Sequence, residues 1–180
     1  DGVSTMDLAL PAARFDGVTR VSDFHERVTA AVRAIPGVTS ASVVEQLPLT
    51  GRSGCTAVVT SQPGARGRAE QCVTTLQAAP GYFETMGIPV RGTATTWDDM
   101  HRGSGGVVVT RALADVLWPG ENPLGRTIRC CSVGEGWFHV SGVVDRLYDA
   151  GLDAPPMQGV FFPLVPVEGA DLQWLARNVN

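Results

Sequence analysis

Lysine is missing from this chain altogether, and all fourteen of its basic residues are arginine. That excludes Schiff-base chemistry on lysine and a Walker A phosphate loop, which needs its lysine on the phosphates. ATP hydrolysis, if this system uses it, belongs to another segment or another chain. Also missing is any run of about eighteen apolar residues, so no stretch of the sequence predicts a membrane-spanning helix. No basic start followed by an apolar core marks a secretion signal. A surplus of positive charge is lacking too: the formal net charge is −4, which argues against nucleic acid as a partner. No G-x-S-x-G elbow occurs, which leaves a serine hydrolase of the common α/β type without support. The glycine-rich run Gly103-Ser104-Gly105-Gly106 precedes an apolar stretch, whereas phosphate loops follow a strand and open a helix.

What is present is the material of a folded domain. With 44% apolar and 18% charged residues, the chain has enough apolar surface to build a core. Val3 to Leu10 alternates as a strand does, and Pro11 ends it. Val21 to Ile35 then carries apolar residues at Phe24, Val28, Ala31, Val32 and Ile35, a helical spacing stopped by Pro36-Gly37. Val38 to Leu47 returns as a β-branched strand, which completes a β-α-β unit. Cys55 to Ser61 and Gln71 to Ala78 predict a hairpin around the Pro/Gly/Arg loop between them.

The most informative stretch runs from Ala79 to Gly125. Pro80 is suited to open a helix, Tyr82, Phe83 and Met86 share one side of it, and Gly87 followed by Pro89 ends it. Trp97 to His101 is taken as part of a Thr/Asp loop. Val107 to Val109 predicts a buried strand and Arg111 to Trp118 a second short helix closed by Pro119-Gly120. Thr127 to Cys131, Phe138 to Val144 and Val160 to Leu164 supply three more strands.

The order PGYFETMGIPVRG, then VVVTRALADVLWPGENPLG, resembles the extracytoplasmic core domain of MacB-like and FtsX-like ABC transporter permeases. VSTMDLALP at the start, IPGVTSASVVEQLPLTG after the first helix and VSGVVDRLYDAGLDAPPMQGVFFPL further on extend the resemblance over nearly the whole chain. It implies an α+β fold: a porter-like β-α-β subdomain, split in sequence, with a small mixed α/β subdomain inserted. On that pattern residues 1–48 begin the porter-like part, 49–165 form the insert, and 166–180 start the porter-like return strand. The porter-like sheet is then incomplete at the C-terminus with one edge exposed. The chain reads as an excised piece of a longer membrane protein.

The resemblance also implies a non-catalytic role on the periplasmic side of a bacterial cytoplasmic membrane. The domain would couple ATP-driven transmembrane motion to export or signalling. Its partners would be its own transmembrane helices, a second permease copy, a cytoplasmic ATPase and a periplasmic adaptor. No catalytic residue, cofactor or metal is expected.

A different class of reading starts from three histidines. His101 lies close to Asp98 and Asp99, a divalent-metal combination that would suit a stand-alone secreted metal-binding protein or hydrolase. A plain periplasmic ligand-binding module is the third possibility, and would need a concave apolar cleft. His139 with Cys130 and Cys131 offers three zinc ligands where a structural site wants four. His25, beside Glu26 on the first helix, is expected at or near the surface. Cys55 and Cys72 are a disulfide pair if their strands are hairpin neighbours, and plain core residues otherwise. Among the four tryptophans, Trp97 is the expected surface contact and Trp118 the packed one.

Overall fold

The computed structural model describes residues 2–9, 18–47, 55–60, 68–102, 105–130, 136–148, 151, 153–164 and 171–178. The fold is α+β, with few helices on a mixed sheet. Strand β1 (Gly2–Ala9) leads to helix α1 (Val18–Arg33) and strand β2 (Val38–Val44). Strand β10 (Asp171–Asn178), from the far end of the chain, lies between them. It runs antiparallel to both, with Leu175 opposite Thr5 on one side and Ser42 on the other. β1 and β2 are therefore parallel, as a β-α-β connection requires, but separated by one strand. β1 is left as a sheet edge, and its residues 2–7 are exposed on both faces.

The remaining strands are β3 (Cys55–Thr60), β4 (Arg68–Ala78), β6 (Val107–Thr110), β7 (Thr127–Cys130), β8 (Phe138–Val144) and β9 (Gly159–Pro163). β4 pairs β3, β3 pairs β7, β7 pairs β8, β8 pairs β6, β6 pairs β9, and β9 pairs β4. The pairing returns to its starting strand, so these six form a closed ring with no free edge. One pair, Val44 opposite Ala78, ties the ring to β2. A short strand β5 (Val90–Gly92), not foreseen in the sequence, runs antiparallel to β8.

The core follows from strand alternation. Val58, Val73, Val107, Val109, Ile128, Cys130, Val140, Val143, Val160 and Phe162 are buried together. They come from all six ring strands, and only the ring interior faces all six. Helix α4 (Arg111–Leu117) adds Leu113, Ala114, Leu117 and the fully buried Trp118 to the same cluster. The alternate residues Leu76, Ala78, Val108, Val144 and Phe161 face outward and are covered by Tyr82 and Phe83 of helix α2 (Tyr82–Met86).

Thr110 joins three elements. Its hydroxyl accepts from the Leu113 amide at the start of α4 (3.3 Å) and from the Gly159 amide (3.0 Å), and donates to the Met157 carbonyl (2.8 Å). Gly87 ends α2 in the left-handed region (φ 68°), as its place in the sequence predicts. Pro80 stands two residues before the first helical position, Tyr82, because Gly81 takes the N-cap position. At Gly142 a β-carbon would lie 2.8 Å from the Thr93 carbonyl and 2.9 Å from Val90, so a bare backbone is what lets β5 approach β8.

The segment Trp97–His101, expected as loop, is a helix, α3. Thr96 and Asp99 close a capping box: the Thr96 hydroxyl accepts from the Asp99 amide (3.2 Å), and the Asp99 carboxylate accepts from the Thr96 amide (3.0 Å). Thr-x-x-Asp is a helix-start signal of the S/T-x-x-E/Q kind, with aspartate in place of glutamate. That substitution hid it among polar residues. The β3–β4 hairpin has the expected direction, but its register sets Thr74 opposite Cys55. The side chains of Cys55 and Cys72 lie outside the described residues, as does Cys131.

Candidate functional site

β2 is covered on both faces. Its Ser42 hydroxyl lies against the turn that enters α2, 3.1 Å from the carbonyl oxygens of Ala79 and Pro80. On the opposite face Val43 packs with Ala79, Met100 and Leu164, and with the half-buried Phe24, Val28 and Trp97 from α1 and α3. β2 thus separates a site around α2 from a junction between α1 and α3.

Around α2 lie two apolar cavities. The larger, about 310 Å³, is walled by Phe83, Ile88, Val90, Ala94, Val108 and Phe162, with Glu84 and Thr95 among its few polar residues. The smaller, about 210 Å³, lies against Leu76, Tyr82, Met86, Leu147 and Met157. Ile88 and Phe161 line both, and so stand between them. The Phe161 ring is met edge-on by Phe83 at 5.0 Å. Walls of this composition shelter apolar surface from water, with the Glu84 carboxylate at the larger cavity.

At the α1–α3 junction, His101 Nε2 lies 3.1 Å from Asp23 Oδ1 and 3.3 Å from Glu26 Oε2. Asp98 and Asp99 are turned elsewhere. Both carboxylates pair with Arg102, and Asp99 also accepts from the Thr96 hydroxyl at 2.7 Å. The Thr96 hydroxyl first, together with Arg102, holds the Asp99 carboxyl below the usual carboxylate range. His101, Asp98 and Asp99 therefore do not converge as a metal site. The stand-alone metal-protein reading loses its ligand set.

His25 corrects another expectation. It is fully buried, not at the surface, on the α1 face formed with Val21, Ser22 and Thr29. Burial pushes its imidazole down to about 4. His25 occupies a position four residues after Val21 and four before Thr29, so helical spacing could have flagged it, but its polarity outweighed its place. His139 is exposed while Cys130 faces the ring interior, so these two do not meet. Among the described residues no group of three His, Cys, Asp or Glu is arranged to hold a metal ion.

The tryptophans also rearrange. Trp118 is buried, as expected, but Trp97 packs into the α1–α3 junction. Among the described residues the exposed tryptophan is Trp137, at 48%, with the Arg129 guanidinium 5.3 Å from its ring centre.

Solved structures share this fold. Over 98% of this chain, the periplasmic region of MacB from Actinobacillus actinomycetemcomitans superposes with a TM-score of 0.58 at 16% identity, and 76% of that chain is covered. The extracellular domain of the noncanonic ABC-type transporter YknZ from Gram-positive bacteria gives 0.55 at 14% identity, over 98% of this chain and 84% of that one. A comparison with curated proteins yields no match. A family model, the MacB-like periplasmic core domain, matches residues 4–179. With nearly every residue matched and the same fold in a MacB periplasmic region, this chain belongs to the MacB-like periplasmic core domain family.

Proposed function

We propose that this chain is the non-catalytic extracytoplasmic domain of an ABC transporter permease subunit, and that it couples ATP-driven motion in the membrane to export or signalling outside it. The observation that carries the proposal is the family match over residues 4–179. No helix among the described residues is long and apolar enough to cross a membrane. The membrane helices would belong to other parts of the permease, beside a second permease copy, a cytoplasmic ATPase and a periplasmic adaptor. A lever needs stiff parts, and the closed ring with its single buried interior supplies one.

The division into residues 1–48 and 166–180 against an inserted 49–165 belongs to the same proposal. It is supported by the strand order: β1, β10 and β2 pair with one another, and the ring draws all its strands from residues 55–163. The test is made on the full-length permease in proteoliposomes with its ATPase. Replacing residues 49–165 by a short Gly/Ser linker should leave membrane insertion and basal ATP hydrolysis intact and abolish the transported or signalled output. Full output from the shortened protein would sink the coupling role.

A further inference from the structure

The α1–α3 junction has a chemistry that the coupling role does not require. Two carboxylates, from Asp23 and Glu26 on α1, approach the same nitrogen of His101 on α3, at 3.1 and 3.3 Å. Neither approach is aligned as a hydrogen bond, and Nε2 itself is screened from solvent. A neutral imidazole therefore gains little from these neighbours, and turns an uncharged nitrogen toward two negative oxygens. A protonated imidazole gains Coulomb attraction from both without needing hydrogen-bond alignment. Histidine is the side chain whose charge ordinarily changes between pH 5 and 8. From these observations the geometry points to a proton-operated clamp: protonation of His101 locks α3 onto α1, and its loss releases α3.

The surroundings favour His101 as the group that switches. The other charged groups of α3, Asp98, Asp99 and Arg102, pair among themselves. Apolar packing through Met100, Trp97, Phe24 and Val28 also holds α3 to α1, and does not change with pH. α1 carries a second imidazole, His25, but its burial opposes protonation, so acid loosens the fold there instead of tightening it. A tightening on acidification therefore cannot come from His25. The clamp also stands next to the larger cavity: Ala94 and Thr95 on the cavity wall lead directly into Thr96, the cap of α3.

The test is hydrogen exchange by NMR on the 180-residue chain, at pH 7.5 and 5.5, corrected for intrinsic exchange. The reporters are the amides of Met100 and Arg102, which donate within α3 to Thr96 and Asp98 at 3.1 Å. Measured against His101→Gln at each pH, which carries the same His25 effect, protection of both should gain about fivefold at the lower pH, the size of one part-exposed ion pair. Asp23→Asn with Glu26→Gln should abolish the gain. No gain over His101→Gln in the unaltered chain would overturn the clamp. So would a gain that survives in the Asp23→Asn, Glu26→Gln variant.

Discussion

His25 shows how a single residue can set the acid limit of a domain. Its folded imidazole stays neutral down to about pH 4, whereas in the unfolded chain it protonates near 6.5. Between those values the unfolded state binds the extra proton, so stability falls as pH falls from 6.5 towards 4 and is unaffected by this group above that range. The total loss is about 3 kcal/mol. Urea unfolding followed by tryptophan fluorescence at pH 7.5, 5.5 and 4.5 should show it. His25→Leu should remove that part of the acid sensitivity while leaving the part due to carboxylates. Identical pH dependence in both proteins would show that His25 is not the cause. The position of His25 was legible in the helical spacing. Its burial was not, because a polar residue on an amphipathic helix points to solvent unless the opposing surface is known.

Elements were legible where their pattern was local. α1, α2, α4 and the β3–β4 hairpin follow from periodicity, from Gly87 and from the Pro119-Gly120 stop, each readable from residues close together in the chain. α3 was missed because five residues give too little periodicity and its cap uses aspartate. β5 was missed because three residues owe their pairing to a bare Gly142 some fifty positions away. The candidate site was less legible still. Residues from both sides of Gly106 line the cavities around α2, and the clamp joins residues 23, 26 and 101. Where elements meet, one hydroxyl can carry the joint. Thr110→Val keeps the shape but removes the cap of α4 and both bonds to the segment entering β9. It should lower stability by about 2–3 kcal/mol in chemical denaturation, more than loss of a helix cap alone. A loss under 1 kcal/mol would mean that water replaces the hydroxyl without cost.

At the scale of the whole molecule, two sets of strands share one sheet. The ring closes on itself through its own six strands, whereas β1 and β2 meet only through β10. Ending the chain at Leu164 should therefore release β1 and leave the ring. Near-ultraviolet circular dichroism should keep its aromatic signal from the buried Trp118, Tyr82 and Phe162. Hydrogen exchange should show protection lost in β1 and β2 and kept in β6 and β8. Loss of protection throughout would mean that the ring does not stand without β10. None of this closure was legible in the sequence, since strand order depends on which edges find each other.

The place of β10 also sets the order in which the molecule is made. β1 is synthesised before the ring, yet its strand partner among the described residues is complete only once Asn178, opposite Gly2, has been made. The ring, whose strands end at Pro163, has all its partners before β10 exists. Pairings this distant in sequence form slowly, because the chain between them must be ordered first. During synthesis β1 and the outer side of β2 wait as open edges, each able to pair with the wrong strand. A ribosome that pauses after the ring therefore holds a sound core with a vulnerable margin. The strand that shields β1 is made only after the whole ring.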